Sequence, residues 1–225
     1  MNTLEVISAI ARSTHIISSF TFHQFPKQQL VQDSDINWSE KEQYMLDKAL
    51  KLKKMGIPFW DGIMLSTFNN PNFSEGVLKK ALRHNSHPQL IHVSKEQLFS
   101  WIEEQTPDID RYAFCSKVLL DNGEERHLTL IDFHIPVSET NVKVVESVCR
   151  KLGLLKGWIL NSGESYHFIG REPILSSDLE MLLYKALMFT PIIDKAWISH
   201  QLREHSCSLR IGRKNGLMPE NVKEL

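Results

Sequence analysis

The chain has 225 residues, 42% hydrophobic and 24% charged, a composition that suits a folded globular protein and excludes a disordered or low-complexity one. Its 26 Lys and Arg nearly cancel 27 Asp and Glu, so no global positive field draws it to nucleic acid and any such contact must come from a local patch. Cys115, Cys149 and Cys207 lie far apart with no Cys-x-x-Cys pair, which argues for a reducing, cytoplasmic setting, and no apolar run reaches the ~18 residues of a membrane span.

Residues 1–19 read as an amphipathic helix, with Glu5 and Arg12 interrupting the apolar run, and a polar loop follows. "WSEKEQYMLDKALKLKKMG" is a second helix, with Ser39 and Glu42 as a capping box, a stripe from Met45 to Leu52, and Gly56 and Pro58 as its stop. "FWDGIML" reads as a short strand, 77–82 as a helix and "QLIHV" as a strand. Ser94 and Gln97 then cap a helix that Pro107 ends.

The back half is more regular. "RYAFCSKVLL" and "ERHLTLIDFHI" form a hairpin around Asp121-Asn122-Gly123, and Ser138 opens a helix that Gly153 closes. "KGWILN" and "SYHFIG" are strands joined at Ser162-Gly163. Ser177 and Glu180 form a capping box for the next helix, a short helix runs from Asp194 to Glu204, and "CSLRIG" is the last strand.

From Arg126 the order strand, helix, strand, strand, helix, strand predicts an α+β fold. Its core is an RRM-like βαββαβ antiparallel sheet with helices on one face, over residues 111–225, preceded by a mixed α/β portion over 1–110. First and third strands should pair in the middle, with the last beside the first and the second face open.

Side chains alternate across a strand, so parity assigns faces. Ile131, Phe133 and Ile135, then Tyr166 and Phe168, then Cys207, Leu209 and Ile211 point to the helix side. Asp132, His134, Ser165, His167, Ser208 and Arg210 then share the open side. Half-solvated sheets alternate in this way for solubility alone, but Asp, His and Arg are not the usual residues for that purpose.

Over roughly 126–213 these residues resemble the archaeo-eukaryotic primase and primase-polymerase superfamily. "LIDFHIP" is similar to its first motif, a pair of acidic residues two apart. "NSGESYHFIG" is similar to its second, a small-residue turn followed by a histidine. "IIDKAWISHQL" with "SLRIG" is similar to its third. The resemblance implies metal-dependent nucleotidyl transfer from nucleoside triphosphates on a DNA or RNA template, with Mg²⁺ or Mn²⁺ as cofactor. It implies Asp132, His134 and Asp194 as catalytic and metal positions, and Ser162, Gly163, Ser165, His167 and Arg210 as nucleotide contacts. Carboxylates hold the metal against a triphosphate, while a histidine and an arginine meet its charge. The departure is His134, where the family has a second carboxylate; imidazole suits Zn²⁺ or Mn²⁺ better than Mg²⁺. A catalytically decayed relative that binds nucleic acid therefore stays open, as does a helicase or helical-domain partner.

Two further readings are weaker. His92 in "HVS" and His127 in "HLT" match the His-x-Ser/Thr pattern of two-histidine phosphoesterases, and "HNSH" offers His84 and His87 as metal ligands without a neighbouring complement. Base stacking of the RNA-binding kind is disfavoured because Phe133, Tyr166 and Phe168 point inward.

Overall fold

The computed structural model describes residues 1–25, 40–57, 59–66, 88–214 and 216–225, in two compact units: Met1–Phe25 with Gln89–Leu225, and Pro26–Pro88. The cut near residue 110 read from the sequence falls inside the first unit, whose sheet draws strands from both sides of it.

In the first unit, α1 (Thr3–Ser13) is closed at its start by a capping box, Asn2 Oδ1 accepting from the Glu5 amide at 3.0 Å and Glu5 Oε2 from the Asn2 amide at 2.8 Å. The helix stops at Ser13. β1 (Ile17–Gln24) follows, a strand that the sequence reading merged into helix and loop. Phe20 and Phe22 are core residues that alternate with Ser19, Thr21 and His23, the period of a strand.

In the second unit α2 (Glu40–Lys54) buries Met45 and Ala49 against Ile63 of α3 (Phe59–Ser66). "FWDGIML" is thus helical rather than a strand; a short apolar run fits either period. The expected helix at 77–82, the Ser39–Glu42 capping box and the His84/His87 pair lie outside the described residues.

The first unit continues with β2 (Gln89–Ser94), α4 (Leu98–Gln105), a 3₁₀ turn that takes in Pro107, β3 (Tyr112–Leu120), β4 (Glu125–Asp132), α5 (Glu139–Lys151), β5 (Gly157–Asn161) and β6 (Tyr166–Ile174). Next come α6 (Ser176–Ala186), α7 (Lys195–Glu204), β7 (Ser208–Arg210) and β8 (Glu220–Glu224). Gly123 in the β3–β4 turn and Gly153 after α5 have φ of +82° and +81°, the conformations their turns require. α6 begins at Ser176 behind Leu175 with no side-chain cap, so the expected Ser177 box does not form.

Among the described residues the strand pairs are antiparallel, in the order β2-β1-β3-β4-β6-β5-β8. First and third strands of the expected core, β4 and β6, do pair, and β5 flanks β6. The last expected strand differs: β7 bonds to β3, Ala113 facing Arg210 and Cys115 facing Ser208, instead of pairing with β4, against which it still lies. β8, at the edge beside β5, was not anticipated from the sequence.

One face of the sheet is covered by α5 and α6, which bury Val145, Val148, Cys149, Leu179, Leu182, Leu183 and Ala186 in the same core as Ile131, Phe133 and Phe168. The second face is not open, as the sequence had suggested. Leu128, Leu130, Trp158, Leu160 and Ile169 alternate with those core residues and are buried too. Each such side chain contributes about 1.5–3 kcal/mol, so a one-residue slip of β4 or β6, which would exchange the two faces, is strongly disfavoured.

Candidate functional site

β4 ends at Asp132, which is the direct cross-strand partner of His167 on β6. Partners of this kind share a face, and the His167 Nε2 lies 3.5 Å from Asp132 Oδ1. His167 keeps only 7% of its side chain exposed and Asp132 keeps 30%, so the pair sits at the edge of a buried region.

Asp194 reaches the same place from the other side. Its backbone amide donates to the Asp132 carbonyl at 3.3 Å, an extension of the Phe133–Ile193 bridge. Its Oδ1 caps α7 by accepting from the amides of Ala196 and Trp197 at 2.8 and 3.1 Å. The residue is therefore an N-cap and also a charge beside Asp132.

Arg210, half-buried on β7, donates through Nη2 to the Ser162 carbonyl at 2.8 Å and through Nη1 to the Gly212 carbonyl. It fixes the turn between β5 and β6, where Gly163 takes φ +100° and its amide donates to Asn161 Oδ1 at 2.8 Å. Ser162 is buried, its amide bonded to the Ser165 carbonyl. Ser165 Oγ donates to the Phe133 carbonyl at 2.6 Å and accepts from the Ile135 amide at 3.0 Å, so its hydroxyl holds the exit of β4. His134, past the last β4–β6 ladder pair, is exposed, and its amide donates to the Ile192 carbonyl at 2.7 Å.

Burial first, then the neighbouring Asp194 charge, push the Asp132 carboxyl up to about 7, against the pull of Arg210 and Lys214. Burial first, then Arg210 and Lys214, push His167 down to about 3. At neutral pH the imidazole is uncharged and the carboxyl sits near its midpoint. Burial lowers the Arg210 pKa, opposed by Asp132, Asp110 and Glu164.

Lys214 and Glu164 are site residues that strand parity missed. They lie in turns, outside the strands that parity covers, and pair with each other at 2.7 Å between Lys214 Nζ and Glu164 Oε2. Tyr166 was read only as core, but its hydroxyl accepts from the Ser138 amide at 2.9 Å and donates to the Ser138 carbonyl at 2.8 Å, tying α5 to β6.

The model of the archaeo-eukaryotic primase 1D-like family matches residues 92–223, a stretch that runs from β2 into β8 and includes every residue of this site. The chain belongs to the archaeo-eukaryotic primase-like family. No curated protein and no solved structure matches it.

Whether this primase-like chain suits a divalent cation can be asked of its donor set. Among the described residues, no three His, Cys, Asp or Glu side chains gather closely enough to hold a metal by themselves. The raised Asp132 pKa, due first to burial and then to the Asp194 charge, shows that Asp132 would gain from a nearby positive charge. Mg²⁺ is commonly held by one or two carboxylates with substrate phosphates and water completing the shell, and Asp132 and Asp194 are the carboxylates available for that role. His134 is exposed rather than gathered into the Asp132–His167 pair.

The two-histidine phosphoesterase arrangement is not formed. His92 is exposed on β2, whereas His127 is buried on β4, three strand spacings away at roughly 14 Å. His127 is held between Ser116 Oγ at 2.9 Å and Ser176 Oγ at 3.1 Å, a strap joining β3, β4 and α6. No described helix is long and apolar enough to cross a membrane.

Proposed function

We propose that this primase-like chain binds a nucleoside triphosphate with Mg²⁺ or Mn²⁺ and transfers the nucleotide to a nucleic-acid end on a DNA or RNA template. The observation that carries the proposal is the facing of Asp132 and His167 at 3.5 Å, with Asp194 and Arg210 brought in from two other elements.

Asp132 and Asp194 would hold the cation, Asp194 through Oδ2, since Oδ1 serves the helix cap. When bound, the metal supplies positive charge against the triphosphate and lowers the pKa of the attacking 3′-hydroxyl. His167, uncharged at neutral pH, offers a directed hydrogen bond to a phosphate oxygen rather than a full charge. Arg210 is held by two backbone carbonyls and presents a fixed positive charge at the same place. In the transfer, the hydroxyl gives up its proton to water, its oxygen bonds to the α-phosphorus, and pyrophosphate leaves with the electrons of the broken P–O bond.

A second reading is favoured by one observation: the place of the family's second carboxylate is taken by the exposed His134. In it the chain binds nucleotide or nucleic acid without catalysis. Extension of a primed template by wild type and by Asp132→Ala, in Mg²⁺ and in Mn²⁺, separates the two. Activity lost in the variant supports transfer; inactivity of both proteins with nucleotide binding retained supports the binding relative.

A further inference from the structure

Two turns meet beside the site. The first, Ser162 to Ser165, carries Glu164; the second follows β7 and carries Lys214. Arg210 bridges their starts, donating to the Ser162 and Gly212 carbonyls, and Leu217 lies against Gly163, 3.6 Å from where a Cβ there would sit. The Lys214–Glu164 ion pair at 2.7 Å leaves both side chains well exposed, at 53% and 64%. The Lys214 charge acts on Asp132 and on His167.

We propose that Glu164 is an internal competitor for the anion site: it pairs with Lys214, and a polyphosphate must take Lys214 from it. This rests on the nucleotide-binding reading above. It makes Glu164 a specificity-determining residue, because the exchange favours ligands in proportion to their charge: a tripolyphosphate outcompetes a single carboxylate by more than a monophosphate does. An exposed pair of this kind is weak, worth at most about a fivefold factor, so it can be exchanged rather than locked. A tighter pair would block the site, and an unpaired Lys214 would accept any phosphate.

The test is calorimetric titration of inorganic tripolyphosphate, with Mn²⁺, into wild type, Glu164→Gln, Lys214→Gln and the double variant at low salt. Both side chains are exposed, so the variants should fold. Expected are roughly threefold tighter binding for Glu164→Gln and roughly fivefold weaker binding for Lys214→Gln, with the double variant matching Lys214→Gln alone. Tightening by Glu164→Gln that persists without Lys214 means simple repulsion and overturns the exchange, as does no effect of Glu164→Gln. In either case a wild type that binds leaves the nucleotide-binding reading standing. A wild type that binds no tripolyphosphate overturns both.

Discussion

The Asp132 carboxylate and the His167 ring occupy directly opposed positions of β4 and β6, 3.5 Å apart, and their environments move their pKa values in opposite directions, to about 7 and about 3. A buried site that raises an acid and lowers a base favours the uncharged form of each. Ionising Asp132 in that place is costly unless a positive charge lies close by.

Stability should record this cost. The Asp132 contribution is present below its ordinary pKa of 3.8 and lost as pH rises through about 7, because the native state holds the extra proton. The His167 contribution is present above 6.5 and lost as pH falls through about 3, because the unfolded chain holds the extra proton. The two oppose each other between 3.8 and 6.5, so wild-type stability should vary little there. Asp132→Asn removes the first contribution. Urea melts should find the variant more stable than wild type by about 2 kcal/mol near pH ~8, and losing stability on acidification where wild type does not.

Cation binding should be linked to the same proton. A metal at Asp132 displaces it, so Mn²⁺ affinity should fall roughly tenfold per pH unit below about 7 and level off above. Spin-resonance titrations of free Mn²⁺ between pH ~5 and ~8 measure this, and a flat profile would place the cation elsewhere.

Much of this pair was legible in the sequence because it rests on strand parity, a local property. Asp132 and His167 face each other because β4 and β6 are strongly patterned and joined through well-marked turns. Three things were not legible. β1 (Ile17–Gln24) enters the sheet by pairing with β3 (Tyr112–Leu120), a long-range pairing that no local signal announces. The burial of the second face depends on what covers Leu130 and Ile169, not on their own strands. Lys214 and Glu164 come together through two turns, where parity does not apply.

The Ser165-Tyr166 pair should act as a clamp on the chain leaving β4. Tyr166→Phe keeps the buried ring but leaves the Ser138 amide and carbonyl without the hydroxyl, and Ser165→Ala releases Phe133 and Ile135. Each should cost about 1–2 kcal/mol. Faster hydrogen exchange at the amides of Ile135 and Ser138 is the specific signature; unchanged exchange there would refute the clamp.

Gly212 is required by space. A Cβ there would lie 2.3 Å from Asp110 Cα and 2.7 Å from its amide nitrogen, backbone atoms that cannot swing aside. Gly212→Ala should cost about 1–3 kcal/mol and disturb the Arg210 anchor on the Gly212 carbonyl. Gly153→Ala, whose Cβ meets nothing within 4 Å, should cost only about 1 kcal/mol for its left-handed backbone. Thermal melts of the two variants order them, and a larger loss for Gly153→Ala would contradict the packing argument.

The most direct measurement is equilibrium binding of Mn²⁺–ATP to wild type and to Asp132→Ala, followed by calorimetry at about pH 7.5. If Asp132 anchors a metal–triphosphate site, wild type binds and the variant loses at least roughly tenfold in affinity, the worth of one buried charge-assisted contact. Equal affinity in the two proteins would contradict the assignment of Asp132 as the metal anchor.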